Sequence, residues 1–481
     1  MRPPPDCLCR TGQAAAHARC SLHPRPAPEK PAPSLDRLRV AMVNWRDPWQ
    51  RAAGGAEEYA WQMSRQLRDR GARVHFVTSR EAGQARREER DGITISRMGG
   101  KYSRYPLTMA WLLRHRRDFD VVVDCMNGIP YLSPLVLHRR TRVLLLVHHV
   151  HGRQFFVYFP APLAWLGKAL EGPVARLVYR RHPAVAVSVS TATAMRERLG
   201  WRGPIFIVPN GAHPASPGPA RGRRTPPDTA PGPVLACVGR LVTTKRVDEV
   251  IDVAARLRDR WPGLRLHVIG RGHEEPALAA QIAAAGLQDT VRLHGYLPAA
   301  GKDALLAGAD LHITASRFEG WGLSVLEAAS LGVPTVAHDV DGLREAVRHG
   351  VTGWLAGPDE DLAPVVERAL KEVSDPVRRA EIRESCVHWA GLFSWTATGD
   401  RMARLILAQR RVPARRRPGG PAYVATFGRP GPAGAAERTV LVENTGPAAL
   451  ARAAAARGET VLGIRAATPT ELLTGVPGRE L

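Results

Sequence analysis

The residues from Glu319 to Glu327, which read EGWGLSVLE, combine two acids and two glycines at the start of an apolar helical segment. These glycines would leave the backbone N–H groups of Gly322 and Leu323 open to an anion at the positive end of the helix. The carboxylates of Glu319 and Glu327 can accept hydrogen bonds from sugar or ribose hydroxyls. A capping acid followed by an unrelated surface glutamate would give the same pattern, so this interpretation needs support from other residues.

Two basic residues lie within one short segment in the middle of the chain. Arg240 follows Gly239 at the end of an apolar segment, and Lys245 comes five residues later. Positive charges fixed on one loop could clamp a diphosphate. Solvated surface charge is the alternative, because the whole chain is rich in basic residues.

A pair of glycines near the N-terminus could approach the same anion. Gly54 and Gly55 follow the first apolar segment and precede a helix whose Ala56, Ala60 and Met63 share one face. Without a Cβ, such residues let backbone N–H groups come close to a phosphate at the start of a helix. A plain tight turn is the alternative.

Two parallel sheets are expected to position these residues. Short apolar segments without polar alternation are separated by helical segments, which is typical of strands covered on both faces. Ligands of open α/β sheets bind beyond the carboxyl ends of the strands, so the candidate residues should meet in a cleft between two α/β halves. The predicted strands are 38–44, 72–79, 120–124, 142–149, 184–190 and 205–211, then 234–240, 264–270, 290–296, 311–316 and 334–338.

The Pro and Gly content divides the chain into six parts. In the first of the two domains, Ser190 is placed to cap the helix that follows it. In the tail, segments 439–444, 447–457 and 460–464 predict a strand–helix–strand fragment too small for a core of its own. The parts are a disordered leader (1–36), a first domain (37–212), a linker (213–233), a second domain (234–392), a helix crossing back to the first domain (393–410) and a disordered, low-complexity tail (411–481).

Composition and charge limit the class of partner. With 481 residues the chain predicts two or three domains, and its net charge of +23 favours anionic partners. The basic residues are scattered and lack an aromatic stacking platform, so nucleic acid is not an expected partner. No apolar run approaches the length of a membrane span, and no secretory signal precedes the first domain. Six cysteines in so long a chain favour a reducing cytoplasm over a disulfide framework.

One apolar segment allows two interpretations. Residues 155–170 (FFVYFPAPLAWLGKAL) are either buried core or an exposed loop that enters a bilayer or receives a lipid-linked acceptor. If the nearby arginines share a face, anionic lipid would be attracted to it, and peripheral membrane association is the interpretation we favour over a fully soluble protein. These arginines are Arg114, Arg116, Arg117, Arg139, Arg140, Arg142, Arg176, Arg180 and Arg181.

Together the motifs resemble those of one large family. From about Leu38 to Ala408 the chain is similar to the retaining GT-B glycosyltransferases of family 4 (glycosyl transferases group 1), which have two facing Rossmann-like domains and an interdomain cleft. The resemblance rests on motifs in the family's order: Gly54-Gly55-Ala56-Glu57, Pro209-Asn210-Gly211, Gly239-Arg240 with Lys245, and Glu319 through Glu327.

This resemblance implies transfer of a hexosyl group from a nucleotide-diphosphate sugar, linked to UDP or GDP, with retention of configuration and without a metal. Arg240 and Lys245 would stabilise the departing diphosphate, Glu319 would hold the donor sugar and Glu327 the ribose. The family's cleft histidine best matches His148, with His149 and His151 as neighbouring choices. Donor contacts are further implied at Gly54, Gly55, Gly239, Gly322, Leu323 and Ser324.

The acceptor is expected to be a glycolipid, a cell-envelope polysaccharide or a small metabolite, and the protein to be cytoplasmic on the inner face of the plasma membrane. A GT-B sugar-nucleotide epimerase, a non-catalytic nucleotide-sugar binder and a nucleic-acid-binding protein are the alternatives. Asp339-Val340-Asp341 resembles the metal-binding DxD of another glycosyltransferase fold, but it sits where GT-B enzymes have a turn. Gly270-Arg271-Gly272 lacks the third glycine of a dinucleotide motif, so NAD is not expected.

Overall fold

The computed structural model describes most of the chain between residues 33 and 466. The predicted leader lies outside it except for residues 33–36, as do the linker residues 213–231. The described ranges are 33–51, 53–100, 103–212, 232–357, 360–411, 422–429, 436–443, 455 and 460–466.

The first half is a mostly parallel sheet with helices on both faces, as its apolar segments predict, and its edge strand Arg87–Arg90 runs antiparallel to its neighbour. Neighbouring residues of a strand enter opposite cores: Val40 and Met42 pack on one face of the sheet, and Ala41 and Val43 on the other. The strands are β1 (Arg39–Val43), β2 (Arg73–Thr78), β3 (Arg87–Arg90), β4 (Ile93–Arg97), β5 (Val121–Met126), β6 (Arg142–Val147), β7 (Ala184–Ala186) and β8 (Ile205–Ile207). The helices are α1 (Gly55–Asp69), α2 (Arg104–Arg114), α3 (Phe155–Tyr158), α4 (Ala161–Ala169), α5 (Ala175–Val178) and α6 (Val189–Arg198).

One capping prediction for this half is wrong. The side chain of Ser188 accepts a hydrogen bond from the N–H of Thr191 at 2.9 Å, so Ser188 is the N-cap of α6. The strand before it ends at Ala186, earlier than its apolar run suggests. Ser190 therefore lies inside the first turn of the helix.

The second half repeats the arrangement with a smaller sheet. Its six strands have the order β11-β10-β9-β12-β13-β14, and every pair of neighbours is parallel. The strands are β9 (Val234–Val238), β10 (Arg265–Ile269), β11 (Val291–Leu293), β12 (Leu311–Thr314), β13 (Thr335–His338) and β14 (Gly353–Ala356). The helices are α7 (Val247–Leu257), α8 (Glu275–Ala284), α9 (Ala299–Ala307), α10 (Leu323–Ser330), α11 (Leu343–Ala346), α12 (Leu362–Ser374), α13 (Pro376–Gly391) and α14 (Trp395–Arg411).

The last helix, α14, returns to the first half and packs against α1. Arg70 forms an ion pair with Asp400 at 2.5 Å, and the hydroxyl of Thr398 donates to the carbonyl of Pro209 at 3.0 Å. Where the chain passes between the halves, Ala212 and Ser394 form a parallel bridge. One apolar core therefore links the first half and α14 to part of the second half through Trp321 and Leu326, and the second sheet has a further core of its own.

The tail contributes three strands, two at the segments predicted as strands and a first one that its composition did not reveal. Ala422–Arg429 (β15), which its Gly and Pro content suggested to be linker, pairs with Ala436–Glu443 (β16) and with Thr460–Ala466 (β17). β17 joins the free edge of β8 through Ile464 and Ile207, which extends the first sheet to β16-β15-β17-β8-β7-β6-β5-β1-β2-β4-β3. The helix predicted over 447–457 lies outside the described residues apart from residue 455.

Candidate active site

Lys245 and Glu319 meet at the carboxyl ends of the second sheet. Lys245 ends a 3-10 turn after β9, Glu319 lies in the loop after β12, and their side chains form an ion pair. β9 and β12 are parallel neighbours, so the loops that follow them lie at the same edge. The structure thus joins one cation of the predicted clamp to one of the two predicted acids.

Arg240 reaches across the cleft to the glycine pair of the first half. A methyl group built on Gly54 would lie 3.2 Å from Arg240 Nε, and one built on Gly55 would lie 3.0 Å from Leu323 Cδ1. A larger side chain on these glycines would have to displace the side chain of Arg240 or Leu323. Gly54, Gly55 and Arg240 therefore occupy one site at the start of α10.

The start of α10 offers backbone donors to this site. Gly322 is the N-cap residue with a φ of 97°, a left-handed conformation that favours glycine. Leu323 and Ser324 are the first residues of the helix, so their N–H groups have no carbonyl partner within it. A methyl group on Gly239 would meet no atom within 4 Å, so open space adjoins that residue. The arrangement can accept an anion at the positive end of α10.

Glu327 has a different partner from Glu319. Its carboxylate forms an ion pair with Lys302 of α9 at 2.6 Å, and its side chain is about a quarter exposed. A ligand hydroxyl at Glu327 would share the carboxylate with Lys302. The two acids of the motif therefore begin from different electrostatic surroundings.

His148 follows β6, and its ring points into the first half. The ring packs edge-on against Tyr59 with centroids 5.2 Å apart, and burial lowers the pKa of His148 to about 3. Its Nε2 is buried and has no hydrogen-bond partner among the described residues. A methyl group built on Gly320 would lie 2.1 Å from the carbonyl oxygen of His148, so the loop carrying Glu319 packs directly on this strand end.

Two further residues at the cleft are His149, named from the sequence as an alternative to His148, and Arg46, which was missed. Burial and the charge of His151 lower the pKa of His149 to about 3, while the charge of Glu319 opposes this shift. Burial also lowers the pKa of Arg46, with contributions from the charges of Arg240 and Arg104. Arg46 lies in the loop after β1, and this position at a strand end was the one signal that could have identified it.

The DxD-like residues take part in ion pairs. Asp339 pairs with Arg344 at 2.9 Å, and Asp341 pairs with Arg198 of the first half at 3.0 Å. Both carboxylates therefore have guanidinium partners in this structure. Within the described ranges, no three His, Cys, Asp or Glu side chains are grouped as a metal site requires.

The apolar segment next to the histidines is mostly exposed, although Phe155 at its start is buried. In α4 only Ala164 and Gly167 are buried, whereas Leu163, Trp165 and Leu166 are 55%, 60% and 54% exposed. The segment leaves and rejoins the fold at one point, because the buried carboxylate of Glu171 accepts the backbone N–H groups of His151 (2.6 Å) and Gly152 (2.8 Å). Its base is thereby fixed beside the cleft.

Glu345 of the second half makes a polar contact with the first half. Its carboxylate accepts the N–H groups of Val189 (2.7 Å) and Ser190 (2.5 Å) at the start of α6. Burial raises the pKa of Glu345, and these hydrogen bonds oppose the increase. The acid serves as a cap contributed from the opposite wall of the cleft.

Comparisons with known proteins match both halves of the chain. The model described as Glycosyltransferase Family 4 covers residues 53–216, and the model described as Glycosyl transferases group 1 covers residues 224–385. A D-inositol 3-phosphate glycosyltransferase from Nocardia farcinica is 30% identical over 385 residues, which span 72% of this chain and 83% of the relative. Matches to other curated relatives, 32–35% identical, span only 42–60% of each relative's length.

Solved structures support the same architecture. Sucrose-phosphate synthase from Thermosynechococcus elongatus superposes with a TM-score of 0.66 at 19% identity, over 78% of this chain and 99% of that one. The Anabaena protein HepE, solved in complex with UDP-glucose, gives a TM-score of 0.60 at 18% identity, over 77% of this chain and 100% of that one. These likenesses confirm the expected fold of two facing Rossmann-like domains. The chain belongs to the group 1 glycosyl transferases of family 4, with the GT-B fold.

Proposed function

We propose that this protein transfers a hexosyl group from a nucleotide-diphosphate sugar to a hydroxyl acceptor. The observation that carries the proposal is the meeting of Arg240, Lys245 and Glu319 with Gly54 across one cleft. Cations and helix N–H groups suit a diphosphate, and a carboxylate beside them suits sugar hydroxyls. Membership of the family supplies the reaction class.

In the proposed reaction, bond breaking leaves negative charge on the donor diphosphate. Arg240 and Lys245 would stabilise that charge, with N–H groups of α10 as further donors. Glu319, already paired with Lys245, would orient the donor sugar, and Glu327 would bind the ribose in competition with Lys302. We propose retention without a metal, with the departing phosphate taking the acceptor proton on the same face.

The histidines beside the cleft would act as neutral groups. Since burial lowers the pKa of His148 and His149 to about 3, both rings are uncharged near neutral pH. A neutral imidazole can hydrogen-bond a sugar hydroxyl. For His148 this requires that donor binding expose its buried Nε2. We propose this role over that of a general base.

The donor is proposed to carry UDP or GDP, and a thermal-shift screen tests this. Full-length protein is heated with UDP, GDP, ADP and their common sugars, and a rise in Tm with a uridine or guanosine diphosphate is expected. Transfer from the stabilising sugar nucleotide to added acceptors is then measured. An epimerised donor formed without acceptor, or binding without turnover, would contradict the proposed reaction.

The acceptor is proposed to be lipid-linked or a glycan, and the protein to associate with an anionic membrane surface at the cytoplasmic face. Trp165 and the leucines beside it are exposed on α4, next to the cleft histidines. Lys168 lies over the Trp165 ring at 4.9 Å, and Arg176 and Arg180 follow on the exposed side. Apolar side chains flanked by cations are suited to a lipid interface. In the described part of the chain, no helix is both long and apolar enough to cross a membrane.

Replacing Trp165 by Ala should reduce binding to vesicles that contain anionic phosphatidylglycerol about tenfold or more. Burying such a side chain in a bilayer contributes roughly 1.5–3 kcal/mol. Flotation of the protein with vesicles measures the effect, and binding should also decline with salt. Leu113→Ala changes another exposed apolar residue, on α2, and serves as the control. If both variants and the unchanged protein float equally with the vesicles, α4 does not take part in membrane binding.

Replacing Glu345 by Gln should raise the KM for the sugar nucleotide roughly 5- to 30-fold. A glutamine has one acceptor oxygen for two N–H donors, so about 1–2 kcal/mol of the contact between the halves should be lost. Steady-state kinetics measure the change. Glu360→Gln alters an exposed acid of the second half that contacts Gly357 and Arg368 and should leave KM unaltered. An unchanged KM in Glu345→Gln would show that this contact does not support donor binding.

A further inference from the structure

A second group of cations lies at the edge of the first sheet opposite the cleft. In the parallel order β6-β5-β1, the N-terminal ends of the strands share one edge. Arg39 begins β1, Arg142 begins β6, and Asp120 directly precedes β5. The candidate active site, by contrast, lies beyond the carboxyl ends.

These loops and the end of α14 line a half-open surface cavity of about 360 Å³. That volume falls within the range of small-molecule sites, which is roughly 300–1,000 Å³. All of its lining residues are charged, and four of the five are arginines: Asp120, Arg139, Arg140, Arg142 and Arg410. An apolar ligand would find no complementary surface there.

The single acid of the cavity is already neutralised. Asp120 accepts the backbone N–H of Arg39 at 3.0 Å, and the Arg39 guanidinium donates to both carboxylate oxygens at 3.3 Å. Burial alone would raise the pKa of Asp120, but these hydrogen bonds and the charge of Arg410 lower it. The carboxylate therefore stays ionised and is held by Arg39, so the one acid among the lining residues is outnumbered by their four guanidinium groups.

Guanidinium groups that converge on one concavity repel each other unless an anion lies between them. Their planar forks match phosphate oxygens in pairs. The basic edge extends beyond the cavity. Arg39 also donates to the carbonyl of Arg117. Burial, together with the charges of Arg142 and Arg181, lowers the pKa of nearby His182 to about 4.

We propose that this cavity, which we call the arginine pocket, binds a ligand with clustered phosphate groups, independently of the proposed donor site. The ligand is either a free phosphorylated small molecule or the headgroup of an anionic lipid. Because no aromatic side chain lines the cavity in the described ranges, the compact phosphate group is favoured over a stacked nucleic-acid base.

The test uses full-length protein and the double variant Arg139→Ala/Arg140→Ala, whose two side chains are exposed. Arg86→Ala/Arg87→Ala removes the same charge from another exposed arginine pair, at and beside β3, and is the matched control. Pyrophosphate binding is measured by calorimetry with UDP present in excess, so that the cleft is occupied. The same titration in an Arg240→Ala/Lys245→Ala background keeps the result independent of whether UDP binds.

We expect pyrophosphate affinity, or binding to vesicles containing phosphatidylglycerol, to fall at least tenfold in the pocket variant and to persist in the control. Loss of pyrophosphate binding identifies a free phosphorylated ligand, and loss of vesicle binding alone identifies a headgroup. Equal losses in both double variants would overturn the proposal, since they would reflect net charge only. Binding of single-stranded RNA that depends on Arg139 and Arg140, without either phosphate response, would also overturn it.

Discussion

Arg240→Ala and Lys245→Ala should each abolish the Tm increase caused by the sugar nucleotide and reduce kcat/KM by about 100-fold or more. Each removes a fixed positive charge that we propose meets the diphosphate, and such preorganised groups commonly contribute two to three powers of ten. Lys245→Ala also leaves Glu319 without its cation, so the acid that should hold the donor sugar loses its orientation. Thermal shift reports on binding, and steady-state kinetics report on transfer.

The matched controls lie on α12. Arg368 and Lys371 are exposed, and each pairs with an acid on or just before this helix. Arg368→Ala and Lys371→Ala should keep both the Tm increase and the activity. If the cleft variants behave like these controls, the diphosphate does not bind at Arg240 and Lys245, and the proposed function fails at its central point.

Gly320→Ala should lower kcat/KM by about 100-fold while leaving the fold of each half intact. The added methyl would lie 2.1 Å from the carbonyl oxygen of His148, so the two walls of the cleft must move apart. A displacement near 1 Å at reacting groups can cost this much activity. Because the second half has a separate core behind this loop, only a small decrease in Tm is expected.

Gly391→Ala provides the comparison for this variant. Gly391 ends α13, and a methyl group there would meet no atom within 4 Å. Its activity should match that of the unchanged protein. Full activity in Gly320→Ala would mean that transfer does not require this contact between Gly320 and the end of β6.

The strands that could be predicted from sequence are those buried on both faces. Segments such as Val121–Met126 are buried throughout, and apolar apart from Asp124, because helices cover both sides of the sheet. Arg87–Arg90 was missed because this edge strand reads REER and is mostly exposed. Gly353–Ala356 was missed because it begins with a glycine, a residue depleted in strands, and lies in no longer apolar run. In the tail, β17 pairs with β8 at Ile207. The local sequence of the tail does not indicate so distant a pairing partner.

For the site, sequence motifs indicated which residue types were present but not their partners. The approach of Arg240 to Gly54 depends on how the halves meet, and so does the link from Glu345 to α6. Spacing suggested that Glu319 and Glu327 act as a pair. In the folded chain, Glu319 forms an ion pair with Lys245, and Glu327 forms one with Lys302. Arg46 carried no motif, so only the folded chain brings it near Arg240.

The bridge between Ala212 and Ser394 has a mechanical consequence. The backbone passes from one half to the other at both places, and the bridge keeps the two passages side by side. Relative motion of the halves should then be bending about this common pivot, with little twist. We expect the largest displacement at the opening of the cleft, which is far from the pivot. Substrates should therefore enter at that opening.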